Sequence, residues 1–142
     1  MGVINIHRRT LACSEDEAGR LIDSLSSPDD RLWPADRWPA MRFDRLLAPG
    51  ARGGHGPVRY EVDCYVPGRW VRFRFTGPRG FHGHHEYWVS QDARSDRCVL
   101  QHQLTMRVRG PARLTWPLAF RWLHDALIED CLDRAESDVS GS

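Results

Sequence analysis

Apolar positions recur every second residue through most of this chain and every third or fourth residue in two places. The order of these two periods predicts its elements. Residues 3–12 alternate, with Val3, Asn5, His7, Arg9 and Leu11 opposed to Ile4, Ile6, Arg8 and Thr10, which predicts a first strand. Ser14 and Glu17 then have capping-box spacing, and Ala18, Leu21, Ile22 and Leu25 follow at helical intervals. Pro28 ends that helix. Two Trp-Pro pairs, Trp33-Pro34 and Trp38-Pro39, place extended or turned backbone next, because a residue before proline avoids helical geometry. Their tryptophans are expected over one opening of the sheet, with a ligand-stacking lid as the functional alternative.

Alternation resumes after this connection. Residues 41–47 are expected to form a second strand and the glycine-rich residues 48–56 a flexible loop. In 57–66, Val58, Tyr60, Val62, Cys64 and Val66 share a face; in 69–76, Val71, Phe73 and Phe75 do. In 81–90, Gly83, His85, Tyr87 and Val89 oppose His82, His84, Glu86 and Trp88. In 97–109, Cys98, Leu100, His102, Leu104, Met106 and Val108 form the core face. Gly110-Pro111 breaks this strand, and a long helix is expected from about residue 112 or 116 to about residue 136. Pro117 must sit in its first turn or at a kink. Phe120, Leu123, His124, Leu127, Ile128, Cys131, Leu132 and Ala135 form its apolar stripe, with Arg121, Asp125, Glu129 and Asp133 assigned to the solvent side. Residues 137–142 read as a polar, disordered tail.

These elements predict an α+β fold in which a curved antiparallel sheet of six strands wraps the closing helix, with residues 1–136 as a single domain. The stripe places Leu123, Leu127 and Cys131 toward the concave side.

Composition narrows the function classes. The net charge of +1 supplies no field to draw in nucleic acid or an anionic membrane. All 20 basic residues are arginine, so no lysine is available for a Schiff base. Cys13, Cys64, Cys98 and Cys131 are far apart and make no C-x-x-C pair, which predicts four free thiols in a cytoplasmic protein. No apolar run is long enough to span a membrane, and no phosphate loop, dinucleotide fingerprint or G-x-S-x-G elbow occurs, so no nucleotide cofactor is implied.

The layout, together with residues 80–89 (GFHGHHEYWV) and 116–130 (WPLAFRWLHDALIED), resembles the START-like/Bet v 1-like (SRPBCC) superfamily, including its polyketide cyclase/dehydrase families. The resemblance covers nearly the whole chain. It implies a helix-grip fold, usually with seven strands, and a cavity between sheet and closing helix for a small hydrophobic or polyketide-like molecule. It fixes no activity, because members include carriers, receptors, cyclases and co-chaperones.

Strand parity and helix phase place Tyr60, Phe73, His85, Tyr87, His102, Met106 and His124 on the enclosed side as candidate ligand-binding residues, with Gly83 leaving room beside His85. The imidazoles can hold a ligand carbonyl, phenol or carboxylate, serve as general acid or base, or bond only to one another. The chain therefore reads as a binding module, with a cyclase- or dehydrase-like enzyme and an interaction protein with a closed core as alternatives. His82, His84 and Glu86 share the outer face while His85 points away, so no metal site is expected, and Arg72 and Arg74 join Glu61, Asp63 and Glu86 on a solvated, ion-paired face.

Overall fold

In the computed structural model, which describes residues 1–141, the chain runs through β1 (Gly2–Leu11), α1 (Glu15–Asp23), β2 (Arg42–Phe43), β3 (Arg52–His55), β4 (Val58–Val66), β5 (Trp70–Gly77), β6 (Phe81–Gln91), β7 (Cys98–Val108), α2 (Ala112–Thr115) and α3 (Arg121–Ser140). The strands form one antiparallel sheet in the order β1-β7-β6-β5-β4-β3-β2, so the first strand closes against the last. The sheet curves around α3. Burial alternates along all of β7, with Cys98, Leu100, His102, Leu104, Met106 and Val108 buried, as a sheet with one covered face requires.

The sheet has seven strands where the alternation predicted six. The additional strand is β3, inside the expected loop 48–56, and the strand expected over 41–47 shrinks to Arg42–Phe43. Both differences have one cause. A Cβ on Gly53 would overlap the Arg42 carbonyl, and one on Gly54 the Val58 carbonyl. Three backbones meet too closely there for side chains, so the glycines that make the segment read as a loop are what lets it pair.

The capping box of α1 forms as its spacing predicts: Glu17 N–H donates to Ser14 Oγ at 3.2 Å and Ser14 N–H to Glu17 Oε2 at 2.9 Å. Asp23, the last residue of α1, accepts from Tyr65 Oη at 2.7 Å and from Gly68 N–H at 2.8 Å, tying the helix to the β4–β5 turn. Gly19 faces that turn without a side chain, and an added Cβ would overlap the Gly68 carbonyl. Gly19→Ala is expected to destabilise the protein by about 1–3 kcal/mol, despite alanine's better helix propensity. Denaturant midpoints check this, and a more stable variant would show that the helix rides free of the turn.

The closing segment is helical from α2 through α3, and Pro117 sits in a π-helical turn, Trp116–Phe120, between them. Proline has no N–H for the regular ladder, and a local widening accommodates it. Leu127, Ile128, Cys131, Leu132 and Ala135 of α3 are buried, Leu127, Ile128 and Leu132 contributing roughly 1.5–3 kcal/mol each at most. The helix also continues to Ser140, through the first part of the expected polar tail: Asp138 pairs with Arg31 at 3.3 Å and Val139 packs on the core. Ser142 lies outside the described residues.

The acidic row of α3 lies at the surface as the stripe implied, with Glu129 and Asp133 exposed, and it also meets the edge strand. Asn5, His7 and Arg9 of β1 project from the concave face onto Asp125, Glu129, Asp133 and Glu136 at 2.7–3.1 Å. Edge strand and helix are thus joined by polar contacts where the apolar stripe ends. On the convex face, Glu86 pairs with Arg72 at 3.1 Å and Glu61 pairs with Arg74, the ion-paired surface expected there. No helix among the described residues is long and apolar enough to cross a membrane.

Candidate functional site

The curved sheet and α3 enclose a cavity of about 170 Å³. Its walls come from every part of the fold: Trp33 and Trp38 from the Trp-Pro connection, His55 from β3, Phe75 from β5, His85 from β6, His102 and Leu104 from β7, and Trp116, Phe120, Leu123, His124, Leu127 and Ile128 from the closing helix. The lining contains no aspartate, glutamate or arginine. Leu123, expected to face inward with Leu127 and Cys131, lines the cavity yet is 55% exposed, so it stands at the mouth.

His85 and His102 are the buried polar residues of the interior, 5% and 0% exposed. His85 Nδ1 lies 3.2 Å from His102 Nε2, so one ring donates to the other. His85 Nε2 and His102 Nδ1 are left buried without a partner. Tautomer bookkeeping fixes what they offer. If His85 donates, its Nε2 is an acceptor and His102 Nδ1 carries a proton; if His102 donates, the roles exchange. Either way the neutral pair has one unused donor and one unused acceptor. His124 adds a third imidazole, its ring 5.2 Å from that of His102, with neither nitrogen hydrogen-bonded. Asp125 Oδ1 is 3.8 Å from its Nδ1, too far for a hydrogen bond.

Burial, the largest cause in each case, keeps these rings uncharged at neutral pH. It holds His55 and His124 down to about 4, and His85 and His102 well below the usual imidazole range. It pushes the Tyr60 and Tyr87 hydroxyls well above theirs. The cavity is therefore neutral, largely apolar and supplied with a few unsatisfied nitrogens.

Of the seven sequence-predicted site residues, the structure brings His85, His102 and His124 to the cavity lining. The other four are also enclosed, but stand behind it. Phe73 stacks on His85 at 4.9 Å between ring centroids, and Tyr60 meets His85 edge-on at 4.6 Å. Tyr87 packs on His102 at 4.7 Å and donates to Cys131 Sγ at 3.4 Å. Met106 belongs to a smaller apolar cluster with Phe81, Leu104 and Trp116. Parity identifies the face of the sheet but not the depth of a side chain on it, which the curvature decides. Gly83 opens no space beside His85. Its φ is +155°, and a Cβ there would strike Thr105 O and Met106 of β7, so neighbouring backbone occupies the room expected for a ligand.

His55 escapes the sequence reading because its glycine-rich segment reads as a loop. It lines the cavity, stacks on Trp33 at 4.6 Å and bonds Tyr60 Oη through Nδ1 at 2.8 Å. The one signal in the sequence is a histidine placed two residues before Pro57 and the clear alternation of β4.

No family model and no curated protein matches the sequence. Solved structures match its shape. The chain superimposes on StfQ, a di-domain ARO/CYC from the steffimycin biosynthetic pathway, with a TM-score of 0.71 and 14% identity over 99% of this chain and 51% of that one. Ara h 8.0201 matches over the full length of both chains, with a TM-score of 0.66 and 12% identity. This is the helix-grip fold of START-like and Bet v 1-like proteins. A protein from Nitrosospira multiformis gives the same helix-grip superposition, with a TM-score of 0.71 and 8% identity over 96% of each chain.

Proposed function

We propose that the protein binds a small, uncharged aromatic or hydrophobic molecule in the cavity between sheet and closing helix. The observation that carries this reading is the His85–His102 pair, which keeps one donor and one acceptor unused in a cavity otherwise walled by apolar side chains. A buried polar atom without a partner costs about 1–3 kcal/mol, which a ligand hydroxyl or carbonyl recovers. Size limits the guest. About 170 Å³ is close to the roughly 150 Å³ of an engineered cavity that holds benzene, so a single ring fits and a polycyclic skeleton needs the mouth to open. Charge limits it further. Nothing in the lining compensates a carboxylate, so a phenol or aryl ketone is favoured over a benzoate of equal size.

The same observations favour binding over general acid–base catalysis, although StfQ is named as an ARO/CYC. An effective base has a pKa near the working pH, and burial holds all four cavity imidazoles well below it.

The test is native mass spectrometry for a copurified molecule, followed by calorimetric titration with phenol, acetophenone and benzoate. Saturable binding of the neutral rings is expected, with benzoate weaker by at least tenfold. His102→Leu should weaken phenol binding about tenfold while preserving the fold. Equal affinity for benzoate and phenol, or an unaffected His102→Leu, would exclude this reading.

A further inference from the structure

We propose that the protein carries a second site, for a divalent transition-metal ion of the zinc type, held by His7 of β1 and His124 and Asp125 of α3 at the edge of the cavity. One ligand atom from each of these residues lies within 4.8 Å of those of the other two. His7 Nε2 stands 3.0 Å from Asp125 Oδ1, and His124 Nδ1 stands 3.8 Å from the same oxygen. Metal–ligand bonds of about 2.0–2.1 Å in a tetrahedron place neighbouring donors about 3.3–3.4 Å apart. The two measured spacings bracket that value, so small side-chain shifts would close the set around an ion.

Three further features point to a metal. Both ring nitrogens of His124 are buried and unpartnered, which is costly unless something ligates the ring. The supporting contacts are those a metal centre uses. His7 Nδ1 bonds Glu129 Oε1 at 2.7 Å, and that carboxylate's other oxygen accepts from Arg9 at 2.9 Å. A histidine backed by a carboxylate is fixed in orientation and made a stronger donor toward a metal. Asp125 Oδ1 is steadied by Asn5 Nδ2 at 2.9 Å, and the Asn5 carboxamide oxygen is itself buried without a partner. Charge also favours a cation: Asp125, Glu129, Asp133 and Glu136 cluster on this seam, where Arg9 pairs with the last three.

Two imidazoles and one carboxylate suit zinc, cobalt or iron(II) rather than magnesium or calcium, which prefer all-oxygen sets. Three protein ligands leave a coordination position for water. The inference does not rest on the proposed ligand, since its donors lie on the β1–α3 seam and its readout is metal binding alone.

The test is titration of untagged, chelator-treated protein with Co²⁺, followed in the visible spectrum, and with Zn²⁺, followed by calorimetry. One equivalent per chain is expected, with the intense cobalt band of a four- or five-coordinate site. Asp125→Asn and His7→Gln should each weaken Zn²⁺ binding by at least about 100-fold, and Glu129→Gln by about 10–100-fold. Circular dichroism establishes that each variant is folded, and should one fail, the remaining variants decide. The double variant His82→Gln/His84→Gln, on the outer face of the sheet, should bind as wild type does. Absence of saturable binding, or binding lost with the outer pair and kept in Asp125→Asn and His7→Gln, would overturn the assignment.

Discussion

Acidification from about pH 6.5 to about pH 4 is expected to remove much of the folding free energy, well before carboxylate titration completes. In the folded protein, burial holds His55 to about 4 and His85 and His102 well below the ordinary imidazole value of 6.5. In the unfolded chain each ring takes up a proton near pH 6.5. Between these limits the unfolded state binds more protons than the folded one, so stability rises with pH. The contribution of these rings is complete above about 6.5 and is lost as pH falls through the folded values. For His55 alone, the displacement from 6.5 to about 4 corresponds to on the order of 3 kcal/mol once the pH is below both values. The two deeper rings add to it, against a typical total of about 5–15 kcal/mol. Denaturant midpoints should therefore fall steeply across that window, and less steeply in His85→Leu/His102→Leu, which removes both partners of the buried pair together. A midpoint that is flat down to about pH 4 would mean that these rings are not buried as described.

The pattern of the sequence reveals which residues are inside, but not how deep they lie or which distant partners they meet. Alternation along β5 to β7 identifies the concave face at nearly every position, because one sheet face is covered and the other is wet. In β4 it holds only to Val62, where a bulge reverses the parity and leaves Val66 47% exposed and Tyr65 packed on the core. The Ser14–Glu17 cap and the α3 stripe from Leu127 to Ala135 are local signals and form as they read. Three features were hidden, each by long-range geometry. β3 looks like a loop because close approach of β2 and β4 demands glycine at 53 and 54. The acidic row of α3 is exposed as it reads, but its partners on β1 lie 118–127 residues earlier in the chain. Tyr60, Phe73 and Tyr87 share a face with the cavity histidines, yet the rings pack into a second layer. None of these depends on a period along the chain, so no count of apolar spacing reaches them.

The Trp-Pro connection supplies the test that separates core from mouth. Trp33 is 2% exposed, stacks on His55 and donates its indole N–H to Pro39 O at 2.9 Å. Trp38 is half-buried, and its indole N–H donates to Asp130 Oδ2 at 2.8 Å on α3. Both line the cavity. Trp33→Ala deletes a fully packed ring and is expected to cost about 3–5 kcal/mol, among the largest losses for a single substitution in this fold. Trp38→Ala is expected to cost only about 1 kcal/mol, because Asp130 retains Arg37 at 3.3 Å and solvent takes the vacated position. Its main effect should fall on exchange of a bound ring. The one link between the connection and α3 that stands at the cavity wall is removed while Arg37–Asp130 and Arg134–Asp30 remain. Dissociation of phenol should therefore accelerate about tenfold, equivalent to about 1.4 kcal/mol at the barrier. Trp38→Phe keeps an aromatic ring and loses the hydrogen bond, so it should lie between wild type and Trp38→Ala. Thermal unfolding and stopped-flow displacement measure these quantities separately. A Trp33→Ala cost below about 1 kcal/mol would place that ring outside the core. An unchanged dissociation rate in Trp38→Ala would show that the guest leaves by a route other than the gap between the Trp-Pro connection and the closing helix.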